Sequence, residues 1–170
     1  MNAQETAEHY MRQVLDLAAE VLEFGEFPIA TIVVLDGEVI ARATASERRE
    51  KRFLCHAELA ALIEADRLSP SFEDRRRTVL YTNLEPCLMC LGAAMSFFLG
   101  EICYGLESPG DGAVNVVRAW VRKEEDIPGY QIPEIRGGVL RAQSMTLFER
   151  YVSLQPPGPM REWARTLTEL

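Results

Sequence analysis

No apolar run in the sequence approaches the 18 or more residues of a membrane span, and the N-terminal stretch MNAQETAEHYMRQ lacks the charged-then-apolar pattern of a secretory signal. Both absences point to a soluble, cytoplasmic protein. Basic residues are also scarce: 18 Lys and Arg against 26 Asp and Glu give a formal net charge of −8 and a pI near 4.9. That balance disfavours a broad polyanion-binding surface, because nucleic-acid affinity rests on Lys and Arg neutralising phosphates. Two short basic runs, ERREKR (47–52) and DRRR (74–77), are interleaved with or flanked by acids and read as solvated faces or loops. Cysteine is limited to four residues and histidine to two. Four thiols in a cytosolic chain make a poor disulfide framework; metal binding is the commoner use. Internal repeats and low-complexity segments are absent.

What is present is an ordinary globular composition, 48% hydrophobic and 26% charged, in a chain of 170 residues, long enough for one hydrophobic core. A single domain over 1–170 is expected, with its core at about 6–152 and a C-terminal extension at 153–170. Met11, Val14, Leu15, Ala18 and Leu22 recur at helical spacing and predict an amphipathic helix over about 6–23. IATIVVL and EVIARAT, joined by Asp36-Gly37, read as a β-hairpin whose first strand is covered on both faces. CHAELAALIEADRL then reads as a helix, TVLYTNL as a strand, CLMCLGAAMSFFL as a helix and EICYGL as a strand. Further helices are expected over 139–154 and from about Met160, after the interruption QPPGP. The pattern implies an α/β fold, a mixed sheet with helices on both faces. The Gly/Pro-rich region from Ser108 to Gly138 is left without an assignment.

The chemistry concentrates in two short segments. Cys87 and Cys90 lie three apart at the start of a helix behind Pro86, on one face and able to hold one ion, with the positive end of the helix favouring thiolates. His56 heads another helix and Glu58 follows two residues later. His56-Ala57-Glu58 with Pro86-Cys87-Leu88-Met89-Cys90 matches in full the established H-x-E and P-C-x-x-C signature of zinc nucleobase deaminases. Three protein ligands, His56, Cys87 and Cys90, leave the fourth tetrahedral position of one Zn2+ per chain for a catalytic water or hydroxide. Glu58, beside the metal, is the expected proton shuttle, with a pKa raised by burial. Cys55 is a poor fourth ligand, because adjacent helical residues point about 100° apart. Cys55 and Cys103 read as inert buried thiols, and His9 as an ordinary structural or surface histidine.

On these motifs the sequence resembles the cytidine-deaminase-like zinc hydrolases, in the branch holding bacterial tRNA adenosine deaminases, guanine deaminases and yeast-type cytosine deaminases. The likeness runs from the first helix to about Tyr151 and is strongest over YTNLEPCLMCLGAAMSFFLGEICYGLESPGDGA. It implies a three-layer α/β/α domain with a central mixed sheet, a homodimer, and hydrolytic loss of an exocyclic amine as ammonia. A base would stack near the hairpin and the two metal-bearing helices, with the Ala57 backbone and Pro86 as substrate contacts. Two departures bear on substrate. Ala45 stands where many members carry a substrate-contacting asparagine, and the tail SLQPPGPMREWARTLTEL balances its arginines with glutamates where tRNA deaminases tend to end in a basic helix. The sequence therefore favours a free nucleobase, nucleoside or related amino-heterocycle as substrate, with tRNA adenosine as the alternative and a non-catalytic zinc-binding partner subunit as a third. Trp163 is expected to dock the tail on the body.

Overall fold

The computed structural model describes residues 2–121 and 130–170, so part of the Ser108–Gly138 region lies outside the described residues. Strands β1 (Ala30–Leu35) and β2 (Glu38–Thr44) form the expected hairpin. Asp36 and Gly37 sit at φ 50° and 89°, the paired left-handed residues that a two-residue primed turn requires. Strand β3 (Thr78–Leu84) pairs antiparallel with β1, and β4 (Glu101–Leu106) and β5 (Glu134–Arg136) add in parallel, giving the order β2-β1-β3-β4-β5.

Period-two alternation divides the core between the faces of this sheet. Ile32, Val34, Tyr81 and Cys103 meet α1 (Ala3–Val21) and α7 (Arg141–Leu154), while Val33, Leu80 and Ile102 meet α3 (Ala57–Arg67) and α5 (Leu88–Phe97). The result is the mixed, helix-covered sheet that the sequence pattern implies. Helix α1 starts three residues ahead of expectation because Asn2 and Glu5 form a reciprocal capping box, and it gives way to a 3₁₀ turn over Leu22–Phe24.

Both charge runs form short surface helices with no buried residue, solvated faces and not loops. Residues Glu47–Glu50 form α2 and Phe72–Arg77 form α4. Ser71 and Asp74 cap α4 reciprocally, and Arg77 reaches both carboxylate oxygens of Asp36 at 3.0 and 2.9 Å, tying α4 to the hairpin turn. Arg75 lies over the Phe97 ring at 4.5 Å. Each helix is shorter than two turns, too short to print a hydrophobic period in the sequence. Helix α6 (Val114–Arg118) and strand β5 likewise are too short to carry a pattern of their own.

Two features place the ends of β1 and β3 beside the site. Buried Asn83 accepts from Ala30 N at 2.9 Å and donates to Pro28 O at 2.7 Å, bridging the strands where they emerge from the core. At the C-terminus, α8 (Pro159–Thr166) buries Ala164, with Leu167 just beyond, in the α1/α7 layer, and Trp163 packs against Phe27 and Phe148 at centroid distances of 4.9 and 6.2 Å. Among the described residues no helix is long and apolar enough to cross a membrane.

Candidate active site

Two helices begin at the site. His56 is the N-cap of α3 with extended backbone, which puts Glu58 in the first turn; Cys87 is the N-cap of α5, which puts Cys90 in its first turn. Neither cap position carries a side-chain cap bond, so the imidazole and the thiol turn to each other across the gap. His56 Nδ1 stands 3.6 Å from Cys87 Sγ, and the Cys90 thiol lies 3.7 Å from Glu58 Oε2. One donor atom each from His56, Cys87 and Cys90 falls within 4.8 Å of the others. Cys55 is not in that group; it is half-buried, not buried, while Cys103 is buried at the far side of β4. His9 is an exposed residue of α1.

The electrostatics follow from crowding four titratable groups at two positive helix ends. The Cys90 thiol donates to Cys87 and His56 lies beside it, which together bring Cys87 down to about 4. The same shared proton, with burial, drives Cys90 upward, and the hydrogen bond with Cys87 raises His56 to about 9. Burial pushes the Glu58 carboxyl, 4% exposed, up to about 7. The donor set fits zinc: Zn–S and Zn–N bonds of about 2.3 and 2.0 Å in a tetrahedron place neighbouring donors about 3.5 Å apart, close to the His56–Cys87 separation.

A cavity of about 330 Å³ opens over this cluster. His56, Ala57, Glu58 and Cys87 form one wall; Phe27, Ile29, Ala45 and Leu84 form an apolar floor; Glu47, Glu85 and Asp111 supply polar atoms. Trp163 and Met160 of α8 complete it, so Trp163 does more than dock the tail. Pro86 is not among the lining residues; its carbonyl accepts from Ala113 N at 3.0 Å. Glu85 accepts from Ser108 N and Val114 N at 3.0 and 3.1 Å and so holds the loop after β4 against the site. Sharing Glu47, Phe53, Pro159 and Met160 with this cavity is a second groove of about 540 Å³, whose rim carries Arg48, Lys51, Arg52 and Arg161. Phe53, 92% exposed, stands between the two. The ERREKR run therefore lies at the mouth of the pocket, a position invisible to a count of charges.

Residues 4–106 match the cytidine and deoxycytidylate deaminase zinc-binding region. The chain belongs to this family. It is a zinc-dependent hydrolytic deaminase of α/β fold. A tRNA-specific adenosine deaminase of Bacillus subtilis is 31% identical over 140 residues, 79% of this chain and 86% of that protein. A tRNA(Ile)-lysidine synthase of Deinococcus radiodurans is 36% identical over 140 residues, but the chain spans only 23% of its length. Among solved structures, a deaminase that edits A to I at the wobble position of tRNA aligns with TM-score 0.67 at 30% identity, covering 82% of this chain and 98% of that one. A guanine deaminase from Nitrosomonas europaea aligns with TM-score 0.65 at 24% identity over 85% of this chain and 84% of its own, a likeness that bears on fold alone. The sequence-based preference for a free base or nucleoside is corrected by these relatives: those at 30% identity or more that the chain spans most fully are named as tRNA adenosine deaminases, and the free-base enzyme is the more distant.

Proposed function

We propose that the chain deaminates adenosine within tRNA, converting it hydrolytically to inosine with release of ammonia. The observation that carries this reading is the basic-rimmed groove running into the metal-site cavity: Arg48, Lys51, Arg52 and Arg161 supply cations where a polynucleotide would lie on either side of an extruded nucleotide. It is supported by the 30–31% identity to tRNA-specific adenosine deaminases over most of their length. The net charge of −8 is an average over the whole surface and does not bear on this local rim.

His56, Cys87 and Cys90 would hold the zinc. A zinc ion in that site supplies Lewis acidity, which makes water nucleophilic at neutral pH. Glu58 would take a proton from the attacking water and deliver it to the ring nitrogen. It would then take the second proton from the hydroxyl now on the ring carbon and deliver it to the amine as the C–N bond breaks, leaving the carbonyl of inosine and ammonia. A buried carboxyl beside the metal ligands can act as base and acid in turn. The apolar floor of Phe27, Ile29 and Ala45 excludes water around the base. The reading treats the whole chain as one domain, since α8 shares the α1/α7 core. It also includes a cytoplasmic homodimer, supported by Leu88 and Val116 exposed together beside a 370 Å³ groove on α5 and α6.

The test is inosine formation and ammonia release from a tRNA anticodon stem-loop, set beside free adenine, adenosine, guanine and cytosine, with Glu58→Gln as blank. Turnover of the stem-loop that falls steeply with salt is the expected result. Turnover of a small molecule alone would reject the reading.

A further inference from the structure

Glu47 lies where the ERREKR run turns into the pocket, at the start of α2. Its side chain is 13% exposed, its Oε1 stands 3.7 Å from Nε2 of His56, and its Oε2 is buried with no hydrogen-bond partner among the described residues. The carboxylate is held there from behind. Buried Glu26 accepts from the backbone N–H groups of Arg48 and Arg49 at 3.1 and 2.5 Å. Ser46 N donates to Cys55 O at 3.1 Å and Ala45 N to Ile29 O at 2.9 Å. The segment between β2 and α3 is thus fastened on both sides of Glu47.

The His56 ring is consequently addressed at both nitrogens, Nδ1 by Cys87 and Nε2 by Glu47. An imidazole that binds a metal through one nitrogen carries its proton on the other, and that N–H is ordinarily held by a carboxylate, carbonyl or water that fixes tautomer and ring plane. Moving Oε1 by about 0.5–1 Å brings it within hydrogen-bond reach. We propose that Glu47 is the positioning residue for His56: it accepts the Nε2–H, commits Nδ1 to the metal and fixes the ring plane. The inference rests on His56 as a metal ligand and is independent of the substrate.

Full-length wild type, Glu47→Ala, Glu47→Gln and Glu47→Asp are compared for zinc affinity by competition with a chromophoric chelator. Exchange of the ring N–H is followed by NMR on 15N-histidine-labelled, zinc-loaded protein, where only His9 and His56 contribute. Glu47→Ala is expected to bind zinc about 10–100-fold more weakly and to lose the slowly exchanging Nε2–H, with partial rescue by glutamine, whose amide oxygen still accepts. Glu47→Asp keeps a charge at the head of α2 and withdraws the carboxylate by one methylene, so it is expected to weaken zinc binding even should the alanine variant not fold. Unchanged affinity and unchanged Nε2–H exchange in Glu47→Ala, or in Glu47→Asp where alanine does not fold, overturn the proposal. Wild-type zinc affinity in His56→Ala would instead overturn the ligand assignment beneath it.

Discussion

Replacing Glu58 by glutamine separates what the carboxyl does for the reaction from what it costs the fold. Glu58 is 4% exposed, and burial raises it from 4.5 to about 7. Between those values the unfolded chain releases a proton that the folded chain keeps. The folded state then binds more protons, so stability falls as pH rises: the contribution is full below 4.5 and lost as pH passes through 7. At about 1.4 kcal/mol per tenfold change, that difference amounts to roughly 3 kcal/mol between pH 4 and pH 8 in protein stripped of metal. Glutamine has nearly the same shape and cannot ionise.

The assay is urea unfolding of chelator-treated wild type and Glu58→Gln at pH 5 and pH 8. His56 and the two thiols are common to both proteins and largely drop out of the comparison. Wild type should lose roughly 2–3 kcal/mol more than the variant between the two pH values, leaving Glu58→Gln the more stable at pH 8. An identical pH response in the two proteins would refute the burial argument. With zinc restored, the variant should retain metal and lose deamination by about 10²–10⁴-fold, the usual worth of general acid–base catalysis. Retained turnover would remove Glu58 from the mechanism.

Lys51 and Arg52 line the basic rim; replacing both by alanine should weaken stem-loop binding and flatten its salt slope by roughly 0.7 per charge removed, while the melting temperature stays put. An unchanged slope would place the RNA elsewhere. Asn83→Ala strands the Ala30 N–H and the Pro28 carbonyl, both met by the one buried amide, and should cost about 2–4 kcal/mol in denaturant titration. In Gly105→Ala the new Cβ would fall 2.2 Å from Ser144 Oγ and 2.8 Å from the Asn83 carbonyl; a loss of about 1–3 kcal/mol is expected, and wild-type stability would mean that β4 and α7 can part freely. Cys55→Ala should bind zinc at about one per chain, and loss of the metal would revive Cys55 as a fourth ligand.

The parts of the fold and site that were legible in the sequence are those set by local rules. Asp36-Gly37 demands two left-handed residues in a row and marks the hairpin wherever it occurs. His56 and Cys87 are readable from the spacing of His56-Ala57-Glu58 and Pro86-Cys87-Leu88-Met89-Cys90, and the structure seats them at the N-caps of α3 and α5, with Glu58 and Cys90 in the first turns. The positions that escaped depend on what lies across the gap. Glu47 reads as one more acid in a charged run, and only the fastening of that run by Glu26 turns it inward to His56. Trp163 reads as a tail anchor, and only the seating of α8 beside Phe27 brings it to the cavity.

The substrate was misjudged for the same reason. Net charge sums over every face, whereas binding of phosphates depends on cations that share one groove. Arg48, Lys51 and Arg52 precede α3, and Arg161 comes from the other end of the chain. Their convergence is a property of the fold: the β2–α3 segment and α8 both close on the mouth of a pocket whose position is set by the N-termini of α3 and α5. The rim is not purely basic, since Glu47 lines the same groove and Arg161 pairs with Glu162 at 3.3 Å, and acids farther off than a Debye length of about 8–10 Å are screened from it. An acidic chain can thus carry a short basic approach to its active site.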